Sequence, residues 1–226
     1  MSRAVTLDTD KPIGPRSSKG ERTKAKLLQA AKEVFEEDGF LEARISDIAE
    51  RAGLSYGSFY HYFPSKEEIF REVAAVHERQ LGAAVVAETA LVDPADDAPV
   101  AARFEAANRR FLAEYRREAR LMRVIEQVSR YDPTLNTARL DRHQAYAQRL
   151  ADAIRGLQRD GEADPGIDPT IGSQVLMAMV TRFAEAWFVQ GRIDCTLDQG
   201  VEQLNRLCRN ALRVRGGRPA GAAAAR

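Results

Sequence analysis

Residues 45–63 read ISDIAERAGLSYGSFYHYF and run straight into PSKEE at 64–68. The stretch predicts two short helices around a glycine turn. On the first, Ile48, Ala49 and Ala52 make an apolar stripe, with Asp47, Glu50 and Arg51 on the other side. Gly53 stands where the chain must stop and turn, a left-handed position that other residues adopt at a cost. Leu54 fills the angle between the helices, and Ser55 is a good N-cap for the second one, expected over about residues 55–63. At about 100° per residue, Phe59, Tyr62 and Phe63 then face the core, while Gly57, Ser58, Tyr60 and His61 share the opposite arc. That arc carries no aliphatic side chain and no acid. Its hydroxyl and imidazole groups can bond base edges or phosphates, and Gly57 lets backbone come close to a partner. The competing reading is a plain solvated face of a small helix.

The residues that follow favour DNA. Ser65, Lys66, Glu67 and Glu68 have the pattern of a capping box, with Ser65 as N-cap and Glu68 three positions on. Pro64 keeps the preceding helix from running through. Lys66 falls on the first helical position, beside the positive end of the helix dipole, where a cation is unfavourable. A phosphate in front of it would explain the lysine, since a helix N-terminus and an ammonium together make an anion site. The alternative is a lysine that swings into solvent.

Outward from this stretch, composition sets bounds. The chain has 226 residues with 34 Lys+Arg against 33 Asp+Glu, so any basic surface must be local. Cys195 and Cys208 are too few for a disulfide scaffold and lack metal-ligand spacing, as expected of a reducing compartment. The N-terminus has no apolar signal region, and apolar runs such as 175–180 fall far short of the ~20 residues that span a bilayer. A soluble cytoplasmic protein with no membrane contact is expected. His61, His77 and His143 have no metal spacing with each other or with the cysteines. Neither a nucleophile elbow nor a phosphate-cradling glycine loop is present, so neither an enzyme nor a cofactor is expected.

The rest of the chain reads as helix throughout, without strand-like alternation. Residues 1–20, with Pro12, Gly14 and Pro15, read as a disordered, mildly basic arm carrying Lys11, Arg16 and Lys19. From Glu21 the helical period takes over through Leu27, Leu28, Ala31, Val34 and Phe35, and Gly39 is placed to end that helix. Further helices are expected at about 66–90, 100–128, 133–159, 169–190 and 197–214, separated by Pro94–Pro99, Tyr131-Asp132-Pro133 and Asp160-Gly161. The Gly/Ala-rich tail 215–226 reads as disordered.

Together, the pattern of Ala31, Phe35, Gly39 and Phe40, the DIAERAGLSYGSFYHYF run and PSKEE resemble the DNA-binding domain of the tetracycline-repressor (TetR) family of bacterial regulators. The resemblance implies an all-α fold: a three-helix helix-turn-helix domain over 21–66, then a larger helical effector-binding and dimerisation domain over 67–214. It places Tyr56, Gly57 and Ser58 near bases behind the cap Ser55, and gives Tyr60, His61, Tyr62 and Lys66 phosphates or the groove wall. The family usually has Ser or Thr where this chain has Arg44. Arginine cannot cap the first motif helix and forgoes about 1 kcal/mol. Either Ser46 caps a shorter helix, or Arg44 grips a phosphate; the phosphate is the favoured reading.

The implied function is a ligand-responsive regulator, a repressor that binds a palindromic double-stranded operator as a homodimer and is released by a small hydrophobic effector. Helix-turn-helix dimers place their recognition helices about 34–36 Å apart. Val175, Met179, Phe183 and Trp187 on one helix, with Val201, Leu204, Leu207, Cys208 and Leu212 on another, offer the dimer surface. Phe104, Phe111, Tyr115, Met122, Ile125, Tyr146 and Leu150 are candidates for an effector cavity, and plain core packing is the alternative for each. Arg182 is a candidate anchor for a carboxylate or phosphate, or else a partner of Glu185 or Glu126; His143 reads as a surface residue. A ligand-independent architectural DNA binder, with a filled core and weak sequence preference, is the rival function.

Overall fold

The computed structural model describes residues 18–86 and 99–214. All regular secondary structure among them is helical. The expected arm and tail lie outside the described residues, except that Ser18 already belongs to the first helix. The chain divides into two compact units, 1–76 and 77–226. No described helix is long and apolar enough to cross a membrane.

In the first unit, α1 (Ser18–Glu42), α2 (Ile45–Arg51), α3 (Tyr56–Phe59) and the start of α4 (Lys66–Val86) enclose an aromatic core. Gly39 breaks the helical path of α1 at φ 75°, and Phe40 then turns back against Phe35 and Phe70, with ring centroids 5.8 and 5.0 Å away. Phe35 meets Phe70 edge-on at 4.9 Å. Because Ile69, Phe70 and Val73 are buried in this core, the unit runs to Val76 and not to residue 66. The boundary falls inside α4.

The second unit contains the end of α4 with α5 (Val100–Arg117), α6 (Ala119–Val128), α7 (Pro133–Arg159), α8 (Pro169–Ala184) and α9 (Leu197–Leu212). Proline at the first helical position and an aspartate before it start both α7 and α8: Asp132 accepts from the Leu135 amide, and Asp168 from those of Thr170 and Ile171. A full capping box of Thr196 and Gln199 starts α9. Buried Asn108 and Asn205, 2.6 Å apart, pin α5 to α9. Two departures from expectation follow. The helix expected over 100–128 is interrupted at Glu118, a buried residue. The helix expected to run to residue 190 keeps α-geometry only to Ala184 and widens into a π turn, Glu185–Val189.

Candidate nucleic-acid interface and effector cavity

The glycine turn forms as its sequence requires. Gly53 has φ 72°, and Ile48 and Ala49 are buried beneath it. Ser55 caps α3, its Oγ accepting from the Ser58 amide at 3.3 Å and lying 2.7 Å from the Ser58 hydroxyl. The second motif helix is shorter than expected. Regular α-helix covers Tyr56–Phe59, and the chain then turns through residues 60–62 with the Tyr62 amide donating to the Phe59 carbonyl at 2.9 Å. Phe59 and Phe63 are buried, whereas Tyr62 is half-buried. Ser55, Tyr56, Gly57, Tyr60 and His61 are exposed, and Ser58 is half-buried.

Tyr56 and Tyr60 stand side by side on that surface. Their hydroxyls are 2.8 Å apart and their rings meet edge-on at 5.4 Å. The hydrogen bond to Tyr56 holds the Tyr60 phenol above its usual range, and the two hydroxyls offer donor and acceptor positions together. Gly57 sits between them in ordinary helical backbone, and a Cβ built there meets nothing within 4 Å. Folding therefore gives no reason for a glycine. Below this face, Lys24 lies over the Phe63 ring at 5.3 Å and bonds Glu72 at 2.7 Å, tying α1 to the end of the motif.

Lys66 corrects the sequence reading. Its ammonium donates to three carbonyls, those of Phe40 (2.7 Å), Leu41 (3.1 Å) and Ala43 (2.9 Å), and lies over the Phe40 ring. All three N–H donors serve the end of α1 and its connection to α2, so the lysine is an internal cap and not a phosphate ligand in waiting. The capping box is also half as expected: the Glu68 amide donates to Ser65 Oγ at 3.2 Å, while the Glu68 carboxylate takes Arg71 at 2.6 Å. Arg44 is exposed, precedes α2 in extended backbone and makes no side-chain cap. Ser46 does not cap in its place, because α2 begins at Ile45 and the Ser46 hydroxyl donates to Asp47.

Residues 27–73, the body of this unit, match the family model described as bacterial regulatory proteins of the tetR family. That stretch is a TetR-family DNA-binding domain. Over 56 residues the chain is 46% identical to the uncharacterized HTH-type transcriptional regulator YdgC of Bacillus subtilis, a match covering 25% of the chain and 29% of YdgC. Against the HTH-type transcriptional regulator UidR of Escherichia coli it is 24% identical over 163 residues, 71% of this chain and 79% of UidR. Among solved structures, SmeT, the repressor of the Stenotrophomonas maltophilia multidrug efflux pump SmeDEF, shares the fold with a TM-score of 0.67 at 20% identity, covering 88% of this chain and 94% of SmeT. The first unit thus carries a DNA-binding domain of the kind found in bacterial transcriptional regulators.

The second unit holds a cavity of about 280 Å³. Of the candidates named from sequence, Phe111, Tyr115, Met122, Tyr146 and Arg182 line it. Phe104 and Leu150 instead line a smaller space of about 90 Å³, and Ile125 is fully buried core. The cavity is not the apolar box expected. Glu78, Glu126, Arg139, Arg142, His143 and Glu185 also line it. Arg139 bonds Glu78 (2.9 Å), Glu126 (2.6 Å) and Ser129 (2.8 Å), and Arg182 pairs with Glu185 at 2.7 Å. His143 is exposed, as its sequence reading has it, and also lines the cavity. These charged residues had a signal: Arg139, Arg142, His143 and Tyr146 fall at i, i+3, i+4 and i+7, one face of α7. Among the described residues, no group of three or more His, Cys, Asp or Glu could hold a metal.

The dimer candidates separate by burial. Leu204 and Leu212 of α9 are 2% and 1% exposed, and Trp187 packs against Gly200, so these three belong to the core of their own unit, as do Val201 and Cys208. Val175 and Leu207 are 59% and 55% exposed, and Met179 and Phe183 are half-buried. Ile171, which sequence reasoning missed, extends the stripe one turn before Val175.

Proposed function

We propose that this chain is a repressor that reads a palindromic operator as a homodimer and is released by a small effector bound in the second unit. Gly57 carries the reading of the motif surface. An unconstrained glycine inside a helix costs up to about 1 kcal/mol relative to alanine, and its open surroundings leave an external partner as the reason to keep it. The tyrosines on either side and the exposed Ser55 and His61 supply groups for base edges and phosphates, and Arg44 adds a cation beside them. The repressor reading also has support in the likeness to SmeT. The apolar stripe of Ile171, Val175 and Leu207 supports an isologous dimer through α8 and α9. The cavity favours a ligand-responsive regulator over an architectural binder, whose second unit would be filled. Its charged wall also revises the expected effector, from a purely hydrophobic molecule to one with an apolar body and a polar group.

Selection of bound DNA from random duplexes tests the reading. An inverted repeat with half-sites about one helical turn, or a multiple of it, apart is expected. Gly57→Ala should keep or raise thermal stability while weakening operator binding at least tenfold. Enrichment of no symmetric site, or undiminished binding by Gly57→Ala, would remove this assignment.

A further inference from the structure

We propose that the effector is a compact aromatic carboxylate whose acid group displaces Glu78 of α4 from Arg142 of α7. The inference rests on the effector-release reading above and specifies its chemistry.

Glu78 is the pivot. Its carboxylate is held by Arg139 Nε at 2.9 Å and by Arg142, and the three side chains are 12, 15 and 23% exposed. Arg139 is engaged at each of its nitrogens, by Glu78, Ser129 and Glu126. Arg142 is not: its Nε is buried without a hydrogen-bond partner. A buried donor left unpaired is costly, and an incoming acceptor recovers that cost. The planar fork of a guanidinium matches the two oxygens of a carboxylate, and the match is better than for any neutral acceptor.

The lining also has an apolar part. Tyr115 is 3% exposed, lines the cavity and has no hydrogen bond from its hydroxyl among the described residues. Burial, then the charges of Glu126 and Glu185, push its phenol well above the usual range, so its ring and neutral hydroxyl suit a ring beside them. At His143, burial and then Arg139 hold the imidazole below its usual pKa, the sign of a site that disfavours a further cation. Phe111, Met122 and Met177 add further apolar lining. A molecule that joins an acid to a ring therefore meets an unpaired guanidinium donor and an apolar lining in one cavity. The volume of about 280 Å³ lies at the lower edge of the ~300–1,000 Å³ of ligand pockets, room for one or two rings.

Substitution at Arg142 has a mechanical result. A ligand acid on Arg142 leaves Glu78 with Arg139 alone and sets a second negative charge beside it, so α4 shifts to return Glu78 toward solvent. Since α4 runs back into the DNA-reading unit, the ligand's preference for the shifted state equals its effect on operator affinity.

Calorimetry with benzoate, 4-hydroxybenzoate, phenylacetate and indole-3-acetate, each against its amide and against decanoate, tests the inference on the unmodified chain. The ring acids should bind saturably, release operator DNA, and exceed their amides at least tenfold. Arg142→Gln should erase the acid–amide difference with helicity unchanged. Glu78→Gln should weaken operator binding without ligand. Amides equal to acids, decanoate stronger than the ring acids, no binding of any acid at millimolar concentration, or a preference retained in Arg142→Gln each overturns the proposal. Operator binding by the unliganded chain, read in the same assay, shows separately whether the regulator reading stands. Should Arg142→Gln fail to fold, the acid–amide comparison on the unmodified chain decides alone.

Discussion

Lys66 and Arg44 show at the scale of single residues how a charge gets its role from what surrounds it. Lys66 sits over Phe40 with its donors on three carbonyls, whereas Arg44 is exposed with no side-chain cap to make. Lys66→Met should lower the stability of the DNA-reading unit by about 2 kcal/mol or more, read in chemical denaturation, because bonds from a charged donor are worth about 1.5–3 kcal/mol. Arg44→Gln should leave stability alone, weaken binding to all operators alike and reduce the salt slope by about 1; an unchanged slope would exclude Arg44 from the phosphates. Gly53 and Ser55 were legible because their partners are their neighbours in sequence. The Lys66 partners lie 23 to 26 positions away, and no local pattern carries them. Cys208 gives the alkaline counterpart. Burial pushes its thiol from 9.0 up to about 11, so the unfolded chain ionises first and stability falls as pH rises through that window. At ~1.4 kcal/mol per unit the full loss is about 3 kcal/mol, and Cys208→Ser should flatten the decline in denaturation curves taken from pH 8 upward.

At the scale of elements, helices were readable and their faces were not. Proline and aspartate announced α7 and α8, and Thr196 with Gln199 announced α9. The break at Glu118 and the π turn at 185–189 have no proline or glycine to mark them. Burial of Glu118, whose carboxylate faces His77 at 3.7 Å, accompanies the first. The second lets Trp187 stack on Phe188 at 4.3 Å and lie over Gly200. Likewise Leu204 and Leu207 differ by one turn of the same apolar stripe, yet the first is packed against its own unit and the second is exposed. Leu207→Asp together with Val175→Asp should shift sedimentation toward the monomer at constant helicity. Leu204→Asp should instead unfold the second unit, as a buried unpaired charge does. Monomers and dimers in unchanged proportion would place the interface elsewhere.

At the scale of the molecule, the near-even charge means that attraction to DNA rests on a few side chains of one unit and not on a general field. The helical class was legible because it follows from periodicity and one motif. The polar wall of the cavity was harder, since arginines and glutamates read as solvent-facing until helices from three parts of the chain enclose them. The exposed stripe of Ile171, Val175 and Leu207 bears finally on how such a protein is dosed in a cell. If those residues meet their copies, the species that reads DNA forms by collision of two chains. Below the dissociation constant of the pair, its abundance grows as the square of synthesis. A twofold fall in expression then removes about three quarters of that species, and the regulated genes respond to gene dosage more steeply than any single-chain switch would allow.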